Sequence, residues 1–128
     1  MILLDTHAWL WWATESDNLS PNAKKAIENS PDIGVSILSC WEIAMLISKE
    51  RIGLNLDVKA WIDLALQRPK IRLIQLNSEI VVLSTRLPGN FHADPTDRML
   101  VATCLSMGIP IVSKDHQITD WNHISVIW

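Results

Sequence analysis

Short apolar runs punctuate this chain at intervals that leave room for a helix between them. Ile2-Leu3-Leu4 is continuous and ends at a carboxylate, Asp5. That is the pattern of a strand buried on both faces. Ile33-Gly34-Val35, Ile71 to Leu76 and Ile111-Val112 are further strand candidates, and Ser125 to Ile127 is a weaker fifth. The stretches between them carry helix signals. Thr6 to Ala13 reads as a short helix. Ser20-Pro21 opens another to about Asn29, with Ser20 as N-cap and Pro21 at the first helical position. Ser36 can cap a helix to about Lys49, with Gly53 beyond its end, and Asp57 to Gln67 forms a further helix closed before Pro69. Asn77 caps a helix to about Leu87, broken by Pro88-Gly89-Asn90. Asp94-Pro95 begins the last, which ends at Gly108-Ile109-Pro110. Strands alternating with helices in this way predict an α/β fold, a short parallel sheet with helices on both faces.

The 128 residues suit one domain, residues 1–128, with no repeat or linker. Hydrophobic residues make up 48% and charged residues 20%, which excludes global disorder. Cys40 and Cys104 are 64 positions apart with no CxxC pair, so neither a disulfide scaffold nor a cysteine zinc site is encoded. The opening residues lack the pattern of a signal peptide, and no apolar run approaches the ~18 residues of a spanning helix. A soluble, cytoplasmic protein without membrane contact is expected. Its net charge is -3. A general nucleic-acid binder would be basic, so any contact with nucleic acid must be local, where a bound metal can reverse the sign of the field.

In open parallel sheets, ligands bind beyond the carboxyl ends of the strands. Asp5 directly follows the first strand and Asp115 lies just after the fourth, in Val112-Ser113-Lys114-Asp115. Asp94 and Asp97 start the helix leading into that strand, and Glu42 lies in the second turn of the helix after the second strand. Five carboxylates far apart in sequence thus map to one sheet edge. Each also has a plainer reading. Asp5 and Asp94 can be N-caps, Asp97 an acidic first-turn residue and Asp115 a turn residue. Glu42 fits such readings worst. It is too deep in its helix to cap it, and Leu38, Met45 and Leu46 are its neighbours one turn away. An acid on an apolar face needs a partner or a cation.

Arg98 stands in a first turn, against the helix dipole, so it needs another reason, a salt bridge to Asp94 or contact with a substrate phosphate. His7 and His92 flank the acids and read as ordinary histidines; neither belongs to an HExxH zinc motif. Oxygen ligands without cysteine or a histidine pair select Mg²⁺ or Mn²⁺, and clustered carboxylates holding such ions act on phosphates. Nucleotide-binding GxxxxGK[ST] and GxGxxG loops are absent.

These segments resemble the PIN-domain ribonucleases and, within them, the VapC-like toxins of type II toxin–antitoxin pairs. The resemblance rests on Leu3-Leu4-Asp5-Thr6-His7-Ala8-Trp9-Leu10-Trp11, Ser39-Cys40-Trp41-Glu42-Ile43, His92-Ala93-Asp94-Pro95-Thr96-Asp97-Arg98-Met99-Leu100-Val101-Ala102 and Val112-Ser113-Lys114-Asp115, in order and across essentially the whole chain. It implies a parallel sheet of order 3-2-1-4-5 and an acidic quartet of Asp5, Glu42, Asp97 and Asp115 holding Mg²⁺ or Mn²⁺. Asp94 is the extra acid of this subgroup, and Thr6 and Ser113 support the quartet by hydrogen bonding. Thr96 departs from the subgroup, which carries an aromatic residue there, and this bears on local packing. The resemblance further implies an RNA substrate, a homodimer, and a small antitoxin that lays a helix or strand over the active groove.

The expected function is therefore metal-dependent endoribonuclease. Asp5, Asp97 and Asp115 would hold the metal, Glu42 a metal or its water, and Arg98 would order the site. The alternative is a catalytically degenerate PIN domain acting as a binding module, which loss of one of the four acids would favour; all four are present. An aspartate-nucleophile phosphatase would need an acid where His7 stands, and a phosphoacceptor receiver would need an aspartate where Leu76-Asn77 ends the third strand. Seven tryptophans are many for this length, and Trp9, Trp11 and Trp12 crowd one short helix. Trp11 and Trp12 point about 100° apart, so at least one of the three belongs near the surface, with Trp9 and Trp12 expected in the core.

Overall fold

The computed structural model describes all residues, Met1 to Trp128. Five strands, β1 (Ile2–Leu4), β2 (Ile33–Ser36), β3 (Ile71–Ile74), β4 (Ile111–Val112) and β5 (Val126–Ile127), form one sheet of order β3-β2-β1-β4-β5. Every pairing is parallel, with Leu3 opposite both Gly34 and Ile111. Seven helices complete the chain: α1 (Thr6–Ala13), α2 (Pro21–Asn29), α3 (Ile37–Ser48), α4 (Val58–Leu66), α5 (Ser78–Ser84), α6 (Pro95–Met107) and α7 (His116–Thr119). The expected class, order and alternation are those of the structure.

The sheet separates two cores because successive strand side chains point to opposite faces. Leu4, Val35 and Val112 join Trp9, Ile27, Ile43 and Trp61 on one side. Leu3 and Ile111 join Leu100, Val101, Cys104, Ile118 and Trp121 on the other. Leu3 and Leu4 are fully buried, each contributing about 1.5–3 kcal/mol. Gly34 sits in close packing. A Cβ there would lie 2.7 Å from Ile74 Cδ1 and 3.3 Å from the Ile2 carbonyl oxygen. Gly108 caps α6 in the left-handed region at φ 65°, where a side chain would be strained.

Three elements differ from expectation. β3 stops at Ile74, two residues before Leu76. α5 stops at Ser84, not at Leu87, and its last turn explains why. Ser84 and Thr85 hydroxyls donate to the carbonyls of Val81 and Val82, and the Ser84 carbonyl accepts from Arg98 instead of from the next helical turn. α7 was not expected at all; its four residues carry no periodic signal, and only Asp115 as N-cap marks it.

The tryptophans divide differently as well. Trp9 is fully buried against Trp61, but Trp12 is half-buried beneath the Arg68 guanidinium at 4.5 Å, and Trp11 is half-buried too. The most exposed tryptophan is Trp41, 54% accessible on α3.

Candidate active site

Parallel strands deliver their carboxyl ends to one edge, and β1 and β4 are neighbours there. Asp5 follows β1 and caps α1, accepting from the Ala8 amide at 2.8 Å. Asp115 follows β4 and caps α7, accepting from the Gln117 amide at 2.9 Å. Asp94 caps α6 by accepting from the Asp97 amide at 3.0 Å. These capping roles and the clustered arrangement coexist, since each carboxylate has oxygen atoms to spare. Asp5, Glu42, Asp94, Asp97 and Asp115 all line one open cavity of about 600 Å³.

The electrostatics of this cavity are those of uncompensated anions. Burial first, and then the charges of Asp94, Asp115, Glu42 and Asp5, together push the Asp97 carboxyl up from 3.8 to about 7. Asp5 is raised mainly by burial, while the Ser113 hydroxyl and the Ala8 amide pull it back. Ser113 also accepts from the Asp115 amide at 3.1 Å, so one buried hydroxyl ties the two strand ends together. Thr6, the other expected support, donates to Ser39 Oγ at 3.1 Å and fastens α1 to α3 without touching an acid directly. No lysine or arginine pairs with any of the five carboxylates. Glu42 is only half-buried, and neither Lys49 nor Arg51 reaches back to it.

Arg98 pairs with neither Asp94 nor the open cavity. Its guanidinium donates to the carbonyls of Ser84 (2.8 Å), Phe91 (2.9 Å) and His92 (3.1 Å). It therefore clamps the loop before α6 onto α5. The cation serves to satisfy backbone that would otherwise be orphaned. The loop in turn carries His92, whose Nε2 lies 3.0 Å from Asp97 Oδ2 but off the line of a hydrogen bond. His92 Nδ1 accepts weakly from the Asp94 amide at 3.4 Å. His92, Asp97 and Asp115 present ligand atoms within 4.8 Å of one another. His92, which the sequence marks only as an ordinary histidine flanking the acids, thus stands against Asp97. His7, likewise expected only as a flanking histidine, lines the cavity with Trp11, Lys114, His116 and Gln117, four residues that no sequence signal singled out for the site.

The donor set suits a hard divalent cation: carboxylate oxygens, little competing positive charge and an open approach. Asp97 supplies the test, because a carboxyl held near 7 by burial and like charges is one that a cation would return to its ionised form.

Comparison with known proteins agrees with this geometry. The PIN domain family model matches residues 2–123. Ribonuclease VapC22 of Mycobacterium tuberculosis (strain ATCC 25618 / H37Rv) is 32% identical over 122 residues, 95% of this chain and 92% of that protein. Two solved structures share the fold at lower identity. Mycobacterium tuberculosis VapC20, described as a sarcin-ricin loop cleaving toxin, is 17% identical with a TM-score of 0.70, covering 98% of each chain. VapBC2 from Rickettsia felis, bound to a DNA fragment from its promoter, gives 12% identity and a TM-score of 0.71 over 98% of this chain and 97% of that one.

Proposed function

The chain belongs to the PIN domain family, and from that premise we propose that it is a metal-dependent endoribonuclease, the toxin of a type II toxin–antitoxin pair. The observation that carries this reading is the convergence of five carboxylates from four segments on one cavity without a pairing lysine or arginine. Asp5, Asp97 and Asp115 would hold Mg²⁺ or Mn²⁺, with Asp94 beside them and Glu42 holding an ion or orienting a water. A divalent ion held there would supply positive charge to phosphate oxygens and ease the deprotonation of the water that attacks phosphorus. Ser113 keeps Asp5 and Asp115 in register across the strand ends. Arg98 acts at a distance, by holding the loop that brings His92 to Asp97.

The reading extends to partners. The solved relatives include a toxin–antitoxin complex from Klebsiella pneumoniae, 18% identical with a TM-score of 0.70 over all of this chain and 97% of that one. Such likeness supports a small antitoxin as partner. We also propose a homodimer; the exposed Trp41, beside Leu38, Met45 and Met99 on the flank of the acidic cavity, supports a covered surface there. A cytoplasmic place of work follows from an RNA substrate, and no helix is long and apolar enough to cross a membrane.

The test is direct. Purified protein should cut a structured RNA with Mg²⁺ or Mn²⁺ and stop when EDTA is added. Asp5→Asn and Asp97→Asn should each abolish cutting. Undiminished cleavage by both variants would remove the acidic cluster from the mechanism.

A further inference from the structure

The acidic cavity has a second wall of different character. His7 and Trp11 stand one turn apart on α1, with ring centroids 5.6 Å apart. Trp11 also meets Trp128 at 5.8 Å, and the Lys114 ammonium lies 6.0 Å from the Trp11 ring centroid. Lys114 is the one lysine or arginine lining this cavity. Trp11 is only half-buried and also lines a second cavity, so the indole is wet on two sides.

These side chains hang from the same two segments as the metal-site acids. Trp11 is on the helix that Asp5 caps, and Lys114 directly precedes Asp115. Their distance from the site is therefore set by β1 and β4. A chain of net charge -3 with five clustered carboxylates repels a polyanion. An approaching strand needs local attraction beside the acids. A flat indole offers a stacking face to any base, and an ammonium next to it offers a phosphate contact.

We propose that Trp11 and Lys114 form a nucleotide subsite for single-stranded RNA, in which the base next to the cut phosphate stacks on Trp11 and a neighbouring phosphate meets Lys114. The proposal rests on the ribonuclease reading above. It assigns Trp11 and Lys114 to substrate binding. Stacking accepts every base, so the subsite selects unpaired RNA over duplex without selecting sequence.

The experiment scores binding, with the non-cutting Asp97→Asn protein as parent. A short fluorescein-labelled single-stranded RNA of mixed sequence is titrated in Mg²⁺, followed by anisotropy. Adding Trp11→Ala should weaken binding by about 5- to 150-fold, while Trp11→Phe should keep most of the affinity. Adding Lys114→Ala should lower the slope of log Kd against log salt by about 0.7. The parent should prefer the single strand to a fully paired RNA, and Trp11→Ala should erase that preference. Lys114 is exposed, so its variant decides the matter even where Trp11→Ala melts early. Unchanged RNA affinity and salt slope in Trp11→Ala and Lys114→Ala would overturn the subsite and leave this wall to protein contacts. So would a parent that binds no RNA. The ribonuclease reading fails separately, on wild-type protein that leaves RNA uncut.

Discussion

Asp97→Asn should make the metal-free protein more stable at pH 8 and leave it no more stable at pH 5. Asp97 is half-buried at the start of α6, its carboxyl raised from 3.8 to about 7 by burial and then by four neighbouring acids. Because the folded value lies above the unfolded one, the group contributes stability that is fully present below about pH 4. That contribution is lost as pH rises through about 7. Unscreened, the shift corresponds to about 4 kcal/mol. The cavity is open, and screening by solvent reduces this to about 2 kcal/mol. Asparagine removes that penalty at pH 8 but also removes a first-turn anion, worth about 0.3–1 kcal/mol. The net gain is about 1–1.7 kcal/mol, or roughly 4–6 °C in Tm for a chain of this size. Thermal melts by circular dichroism in EDTA at both pH values measure it. Mg²⁺ or Mn²⁺ should then raise the wild-type Tm, by about 2.7 kcal/mol of stability at a hundredfold excess over Kd, and raise the variant less. An Asp97→Asn protein less stable than wild type at pH 8, or a wild-type Tm indifferent to millimolar metal, would refute the convergence of charge on which this reasoning rests.

Other perturbations test the frame around the site. Arg98→Ala leaves the carbonyls of Ser84, Phe91 and His92 without their donor and should cost about 1–3 kcal/mol, read by urea unfolding; unaltered stability would show that water replaces the clamp. Gly34→Ala drives a Cβ against Ile74 and the Ile2 carbonyl and should cost about 1–3 kcal/mol by the same assay, with Gly34→Val worse. The net charge of -3 predicts poor binding of nonspecific duplex DNA at physiological salt, and tight sequence-blind binding in a mobility-shift assay would contradict it.

The fold was legible because local signals and topology agree. The strand runs, the caps Asp5, Ser20, Ser36, Asn77 and Asp94, the helix start at Asp57, and the breaks at Pro88-Gly89 and Gly108 all lie within a few residues of the observed boundaries. The acids were legible because the carboxyl-end rule for parallel sheets turns sequence position into place. Arg98 was misread because its partners are backbone carbonyls, which leave no mark in residue identity. His92 read as an ordinary flanking histidine because the loop that brings it to Asp97 is positioned by that same clamp. The end of α5 depended on hydroxyl groups bonding back to their own helix, a competition that hydrophobic periodicity does not register. Trp41 shows a different limit. Periodicity states which face of α3 is apolar, but Trp41 remains 54% accessible in the isolated chain.

The placement of β1 between β2 and β4 has a consequence for how the chain comes into being. Synthesis delivers Asp5 first, then Glu42, then Asp94 and Asp97, and Asp115 only with the segment after β4. β1 must wait with one edge unpaired until Ile111 and Val112 arrive to lie against Leu3 and Leu4. Closing so long a loop is slow compared with the local helices that form in the meantime. A nascent chain thus carries four of its five acids on the ribosome without a finished cavity, and the order of translation delays the assembled site until β4 has docked.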